Sequence, residues 1–77
     1  MPQVTMYSTA TCKYCKHAEA LFNEHNISFQ KFDVGADADK RKEMVEKSGQ
    51  LGVPVIDIGG QIIVGYDEDA IKQLLKI

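Results

Sequence analysis

The chain has 77 residues and a formal net charge of −2, with nine basic and eleven acidic side chains spread along it. This length suits one small domain, residues 1–77, and the absence of a basic block argues against nucleic acid as a partner. No apolar run approaches the length that spans a bilayer, and no charged segment followed by an apolar one opens the chain. We therefore expect a cytoplasmic protein with no membrane partner.

The first half of the chain predicts a strand, a helix and a second strand. Residues 3–8 favour a strand because Val, Thr, Met and Tyr dominate them. A helix should follow and end at residues 25–26, where Asn26 tolerates the left-handed conformation. Residues 29–34 favour a strand at an exposed edge of the sheet, since they include Lys31 and Asp33. The apolar positions at helical spacing are Cys15, Ala18, Leu21 and Phe22.

The middle of the chain predicts a second helix with a charged outer face. Asp37 is the expected N-cap, and Gly49 is the expected stop after about Ser48. The apolar stripe of this helix is weak, and its many charged side chains are typical of a solvated surface. The stripe consists of Ala38, Met44 and Val45.

The last third predicts a hairpin and a final helix. Residues 53–58 and 61–64 favour strands, and Gly59-Gly60 between them is a two-residue loop typical of hairpins. Asp67 is the expected N-cap of the last helix. One face of that helix carries Ala70, Ile71, Leu74 and Leu75.

The resulting order, β-α-β-α-β-β-α, defines an α/β fold. The first two strands should be parallel and joined by a right-handed crossover, whereas the hairpin strands should be antiparallel. Together they form one mixed four-stranded sheet with helices on both faces. This arrangement is the thioredoxin fold in its minimal form.

Two cysteines carry the chemistry that the sequence predicts. Cys12 and Cys15 enclose Lys13 and Tyr14 at the junction of a strand and a helix, where a Cys-x-x-Cys pair indicates redox chemistry. The unpaired amides of a helix N-terminus favour a thiolate, and Lys13 and Lys16 add positive charge nearby. We expect Cys12 to be the exposed attacking thiol and Cys15 the buried resolving thiol.

Three other uses of the cysteines compete with redox chemistry. A structural disulfide that closes so short a loop constrains the unfolded chain little. A structural zinc site takes four ligands, and only His17 and His25 could join the cysteines. An iron–sulfur cluster shared between two protomers remains an alternative, although no further cysteine supports it within one chain.

Pro54 is the second landmark of the sequence. Proline does not fit the interior of a central strand but can open one, so Pro54 should introduce the third strand. A trans proline would merely start that strand. A cis Val53-Pro54 bond beside Cys12 would leave the backbone of Val53 free to pair with an extended substrate.

The chain resembles the glutaredoxins, and in particular the short glutaredoxin-like redoxins of bacteria and archaea. The resemblance runs through essentially all of the sequence and favours a cis Pro54. The motifs that carry it are Tyr7-Ser8, Cys12-Lys13-Tyr14-Cys15, Gly49-Gln50 ahead of Val53-Pro54, and Gly65-Tyr66-Asp67-Glu68.

The resemblance implies a glutathione site beside Cys12. Tyr14 and Lys13 would flank the sulfur, the backbone of Val53 would pair with the cysteinyl part, and Gln50 would reach the glycyl end. The γ-glutamyl end would lie at the start of the last helix, where amides bind a carboxylate and an acidic side chain meets the ammonium group. The residues implied there are Gly65, Tyr66 and Asp67 or Glu68.

The sequence departs from the glutaredoxin pattern at three places. Lys13 replaces the usual proline between the cysteines, and Val64-Gly65 replaces the usual pair of glycines. The basic residue common before the first cysteine is absent from Thr9-Ala10-Thr11, which should weaken the site for the glycyl carboxylate. The chain also has no Trp, unlike related redoxins that are reduced by thioredoxin reductase and carry Trp-Ser-Gly-Phe before the last helix.

The sequence therefore predicts a monomeric thiol–disulfide oxidoreductase that reduces protein or small-molecule disulfides. No permanently bound cofactor is expected, and the electron donor is either glutathione or thioredoxin reductase. The alternative is a homodimer that carries a glutathione-bridged iron–sulfur cluster.

Overall fold

The computed structural model describes residues 2–77 as seven elements around one sheet. In chain order they are β1 (Val4–Ser8), α1 (Lys13–Glu24), β2 (Phe29–Asp33), α2 (Ala38–Ser48), β3 (Val55–Ile58), β4 (Gln61–Val64) and α3 (Glu68–Leu75). The strands lie in the order β2-β1-β3-β4; β1 and β2 are parallel, and β3 is antiparallel to β1 and β4. The predicted element order, the exposed edge position of the second strand and the α/β class are confirmed.

The helix boundaries follow from the capping residues. The carboxylates of Asp37 and Asp67 each accept a hydrogen bond, at 3.1 Å, from the backbone N–H three residues further on. Gly49 ends α2 in the left-handed conformation, with a φ of 73°, and Asn26 adopts a φ of 56° just after α1. These predicted caps are confirmed. Within residues 2–77, no helix has the length and apolar character needed to cross a membrane.

Four details of the sequence prediction are wrong. β1 begins at Val4 rather than at residue 3. β3 begins at Val55 rather than at residue 53, since Pro54 has no N–H to donate to a neighbouring strand. β2 ends at Asp33, although the N–H of Val34 still donates to the carbonyl of Ser8 at 2.8 Å. Ala38 is exposed because it is the first residue of α2, and the helix is buried further along at Met44.

Helices cover both faces of the sheet and create two separate apolar clusters. We call the larger one the α1/α3 core and the smaller one the α2 core. The α1/α3 core consists of Val4, Met6, Ala18, Leu21, Phe22, Ile27, Ile56, Ile58, Ile63, Ile71 and Leu75. The α2 core consists of Tyr7, Val34, Met44 and Val55. Strand residues alternate between the two cores, as the two-residue period of a strand requires.

The hairpin that joins β3 and β4 uses the predicted two-residue loop. Gly59 and Gly60 have φ values of 59° and 95°, a backbone region that side chains other than glycine rarely adopt. The side chain of Asp57 accepts a hydrogen bond from the N–H of Gly60 at 2.8 Å. The loop fixes the register that pairs Val55 with Val64 at the far end of the hairpin.

Candidate active site

Three segments of the chain meet at one edge of the sheet. The register pairs Tyr7 with Val55 and Val55 with Val64, so the end of β1, the start of β3 and the end of β4 are neighbours. The loop after β1, the proline before β3 and the turn after β4 therefore lie at the same edge. A hydrogen bond of 2.8 Å from the N–H of Gly65 to the carbonyl of Pro54 joins two of them.

Cys12 is the N-cap of α1. Its backbone is extended, with φ −79° and ψ 114°, and its sulfur accepts a hydrogen bond from the N–H of Cys15 at 3.1 Å. The carbonyl of Cys12 accepts from the N–H of Lys16 at 3.4 Å, at the first turn of the helix. The sulfur is half-buried and lies at the positive end of the helix dipole, where a negative charge is stabilised.

Cys15 is the disulfide partner of Cys12, and the two sulfurs differ in exposure. The Cα atoms of the pair are 5.2 Å apart. Cys15 is only 2% exposed and lies on the buried side of α1 that also carries Ala18. Cys12 is therefore accessible from solvent, whereas Cys15 is shielded.

The charges around the disulfide are positive. Lys13 and Lys16 are both exposed, and the first turn of α1 contains no acidic side chain. Their positive charges add to that of the helix N-terminus, so the local field favours the thiolate of a reduced Cys12.

An aromatic row extends from the disulfide toward α3. Tyr14 is 60% exposed, its ring centroid is 5.8 Å from that of His17, and His17 is 6.1 Å from Tyr66. Burial raises the pKa of Tyr66, and the charges of Glu68 and Glu24 raise it further. His17 was not predicted to belong to the site, although its spacing of three residues from Tyr14 puts both on one helix face.

The Val53-Pro54 peptide bond is cis, as the resemblance implies. Within residues 2–77, neither the N–H nor the carbonyl of Val53 has a hydrogen-bond partner. The predicted glycyl ligand Gln50 lies just upstream, and both ends of its amide are bonded to Gly52. The edge thus brings Val53, Pro54 and Gly65 together with the loop that carries Cys12.

The acidic residues at the start of α3 already have partners. Asp67 caps the helix, and the carboxylate of Glu68 is 3.5 Å from the ammonium group of Lys72. Both residues are exposed, which leaves them accessible to a ligand at the helix N-terminus. Over residues 2–77 no three His, Cys, Asp or Glu side chains are grouped as metal ligands.

A polar network beneath α2 was not predicted from the sequence. The buried hydroxyl of Tyr7 donates to the carboxylate of Glu43 and accepts from Lys47 at 2.9 Å. Lys47 also bonds Asp57 of β3 at 2.9 Å. We call Tyr7, Glu43, Lys47 and Asp57 the α2 network. The sequence signals were Asp57 within an apolar strand and the spacing of four residues between Glu43 and Lys47.

The α2 network shifts the pKa values of three of its members. Burial, followed by the hydrogen bond to Glu43, raises the pKa of Tyr7. The hydrogen bond from Tyr7 lowers the pKa of Glu43, and the bonds to Tyr7 and Asp57 raise the pKa of Lys47. Each shift favours the protonation state that the network needs at neutral pH.

A half-exposed sulfur at a helix N-terminus, bonded to a buried sulfur beside a cis proline, defines a dithiol–disulfide site on a thioredoxin fold. The family model described as Glutaredoxin matches residues 4–63. The chain belongs to the glutaredoxin family. Its chemistry is thus that of a thiol–disulfide oxidoreductase.

Three known proteins illustrate how far this similarity extends. Glutaredoxin 3 of Escherichia coli K12 is 41% identical over 68 residues, covering 88% of this chain and 82% of that protein. An uncharacterized glutaredoxin-like 8.6 kDa protein of the rubredoxin operon of Clostridium pasteurianum is 41% identical over 73 residues, covering 95% and 97%. The glutaredoxin structure from Archaeoglobus fulgidus superimposes with a TM-score of 0.88 at 24% identity, covering 100% of this chain and 89% of that one.

Proposed function

We propose that the protein reduces disulfides by a dithiol mechanism in which Cys12 is the nucleophile and Cys15 the resolving thiol. The observation that carries the proposal is the difference between the two sulfurs. Cys12 is half-exposed at the N-cap of α1, whereas Cys15 is 2% exposed. Only a thiolate attacks a disulfide, and the helix N-terminus favours the thiolate at Cys12.

The reaction consists of two exchanges. The Cys12 thiolate attacks one sulfur of the substrate disulfide, forms a mixed disulfide and releases the other sulfur as a thiolate. The Cys15 thiolate then attacks the sulfur of Cys12, which releases the second substrate thiolate and forms the Cys12–Cys15 disulfide. The substrate gains two electrons, and the two cysteines lose them. The released thiolates take protons from solvent.

The backbone of Val53 is the proposed contact for the substrate. Its unpaired N–H and carbonyl lie beside Pro54 at the sheet edge that carries the cysteines. An extended segment on either side of a substrate cystine could pair with them as a strand pairs with a sheet edge. Protein disulfides and small cystine-containing molecules both offer such a segment.

We further propose glutathione as the electron donor. Tyr14 and Lys13 would flank its sulfur, and Gly65, Tyr66 and Asp67 or Glu68 would receive its γ-glutamyl end. The bond between Gly65 and Pro54 supports this arrangement because it holds the start of α3 at the site edge. In NADPH-coupled assays, glutathione with glutathione reductase should reduce the oxidised protein faster than thioredoxin reductase does. Faster reduction by thioredoxin reductase would contradict this donor.

Single-cysteine variants test the assigned roles. After exposure to a disulfide-containing peptide, Cys15→Ser should accumulate a mixed disulfide at Cys12, visible as a mass increase by intact-protein mass spectrometry. Cys12→Ser should accumulate little, since its remaining sulfur is buried. Trapping by Cys12→Ser and not by Cys15→Ser would reverse the roles.

We propose that the protein acts as a monomer in the reducing cytoplasm, where a Cys-x-x-Cys pair cycles between its two states. Sedimentation of an anaerobic preparation tests the oligomeric state, and its visible absorption tests for a cluster. A colourless monomer of 8.6 kDa is expected. A brown dimer would instead support the iron–sulfur cluster carrier.

A further inference from the structure

The side chain of Gln50 bonds to the backbone of the loop between α2 and Pro54. Its Oε1 accepts a hydrogen bond from the N–H of Gly52 at 2.6 Å, and its Nε2 donates to the carbonyl of Gly52 at 3.0 Å. Nε2 also lies 3.3 Å from the hydroxyl of Ser48. The acceptor and both donors of the amide thus have partners inside the loop.

The same loop is tied to the end of α2. The hydroxyl of Ser48 lies 2.7 Å from the carbonyl of Met44 and 3.0 Å from the carbonyl of Gln50. One residue earlier, Lys47 bonds Asp57 of the sheet at 2.9 Å. Two adjacent residues at the end of α2 thus make separate contacts: Lys47 bonds to β3, and Ser48 bonds to Gln50 of the loop that ends at Gly52, the residue before Val53.

Gly52 is the position at which an added side chain would displace the amide of Gln50. A Cβ atom added there would lie 2.6 Å from Oε1 of Gln50, closer than such atoms approach. A larger residue at position 52 would therefore force the flexible end of the Gln50 side chain away from the backbone. The conformation of the Gln50 amide and the residue type at position 52 are therefore coupled.

We propose that Gln50 is a positioning residue that fixes the loop presenting the backbone of Val53 to substrate. This role differs from the contact with the glycyl carboxylate that the family resemblance implies for Gln50. Turning the amide toward a ligand would break both bonds to Gly52, including the 2.6 Å bond. The proposal rests on the proposed function, because it needs Val53 to pair with the substrate.

Two probes that differ only at the glycyl carboxylate separate the two roles. They are oxidised glutathione and the same disulfide with both glycyl carboxylates converted to amides. Each is mixed with the fully reduced protein, and the second-order rate constant is measured by stopped flow. The variant is Gln50→Ala. Its control is Gln73→Ala, which removes an exposed glutamine of α3 far along the chain from the loop.

Gln50→Ala should slow both probes by the same factor, roughly threefold to tenfold, which corresponds to the loss of about one net hydrogen bond. The reduction potential of the cysteine pair should not change, because Gln50 contacts neither sulfur. A loss confined to oxidised glutathione would overturn the proposal and restore Gln50 as a ligand. A wild-type protein inert to both probes, but active on a disulfide-containing peptide, would instead contradict the proposed use of glutathione.

A double-mutant cycle with Gly52→Ala tests this coupling. Gly52→Ala alone should slow both probes about as much as Gln50→Ala, because the new methyl group displaces the amide. In the Gln50→Ala background the same change should have little further effect, since the atom it would meet is gone. Fully additive losses would contradict the coupling between Gln50 and Gly52.

Discussion

The two faces of the sheet are stabilised by different interactions. The face under α1 and α3 buries the larger apolar core, and Cys15 is buried on the same side of α1 as Ala18 of that core. The face under α2 has a small apolar core, supplemented by the hydrogen bonds and ion pairs of the α2 network. α2 is also the most polar helix, with Met44 as its buried residue.

The two parts of the candidate active site, the cysteine pair and the loop before Pro54, are attached to different faces of the sheet. The cysteine pair is attached to the face held by apolar packing, where a loss of side-chain volume lowers stability. The loop that would pair with substrate under the proposed function is attached to the face held by directional polar contacts, whose strength depends on pH and salt. The two faces should therefore respond differently to substitution and to pH.

The largest expected effect is a cavity in the α1/α3 core. Phe22 is fully buried, so Phe22→Ala should lower the free energy of unfolding by about 3–5 kcal/mol in urea titrations. Phe32→Ala is the matched change on the α2 side. Phe32 is only partly buried there, against Tyr7 and Lys40, and we expect a clearly smaller loss. Equal losses would contradict the comparison of the two faces.

The α2 network should contribute less. Tyr7→Phe and Lys47→Met each remove the 2.9 Å bond between these residues, and each should lower the free energy of unfolding by about 1 kcal/mol. Because both remove the same bond, the double variant should lose less than the sum of the two. Strict additivity in urea titrations would mean that the bond contributes nothing.

The network should also shape the pH dependence of stability. The lowered pKa of Glu43 means that its contribution is full above its ordinary value of 4.5 and is lost as the pH falls below it. The raised pKa of Tyr7 means that its contribution is full below its ordinary value of 10.0 and is lost as the pH rises through the higher, folded value. Tyr7→Phe should flatten both limbs of the unfolding free energy against pH. If the acid and alkaline parts of the curve were unchanged, the pH dependence would come from other groups.

The smallest expected effect is at the surface of α3. Lys72 and Glu68 form a pair at 3.5 Å, four residues apart on the helix, and both are substantially exposed. Lys72→Met should change the free energy of unfolding by at most about 0.5 kcal/mol, and added salt should shrink that difference. A loss as large as that of Lys47→Met would show that exposed pairs matter as much here as the α2 network.

Much of the fold could be predicted because local signals agreed with the tertiary structure. Asp37, Gly49 and Asp67 fix helix ends through their own backbone contacts, and Gly59-Gly60 fixes the hairpin. Short-range chemistry of this kind is visible in sequence.

The parts that sequence did not predict depend on contacts between distant residues. The bond between Tyr7 and Lys47 joins residues 40 positions apart, and the spacing of Lys47 from Glu43 does not show which strand residue it reaches. The row that brings His17 to Tyr66 likewise depends on how α1 packs beside the start of α3. The engagement of Gln50 with Gly52 is local, but it depends on a turn geometry that the residue types alone do not specify.

The most direct test of the account is to identify which thiol reacts first. The reduced protein is treated with a small amount of iodoacetamide across a range of pH, and the labelled residue is identified by peptide mass spectrometry. We expect labelling at Cys12, with a midpoint below the ordinary thiol pKa of about 8.5, because its sulfur lies half-exposed at the N-terminus of α1. Preferential labelling of Cys15 would contradict the assignment of Cys12 as the nucleophile.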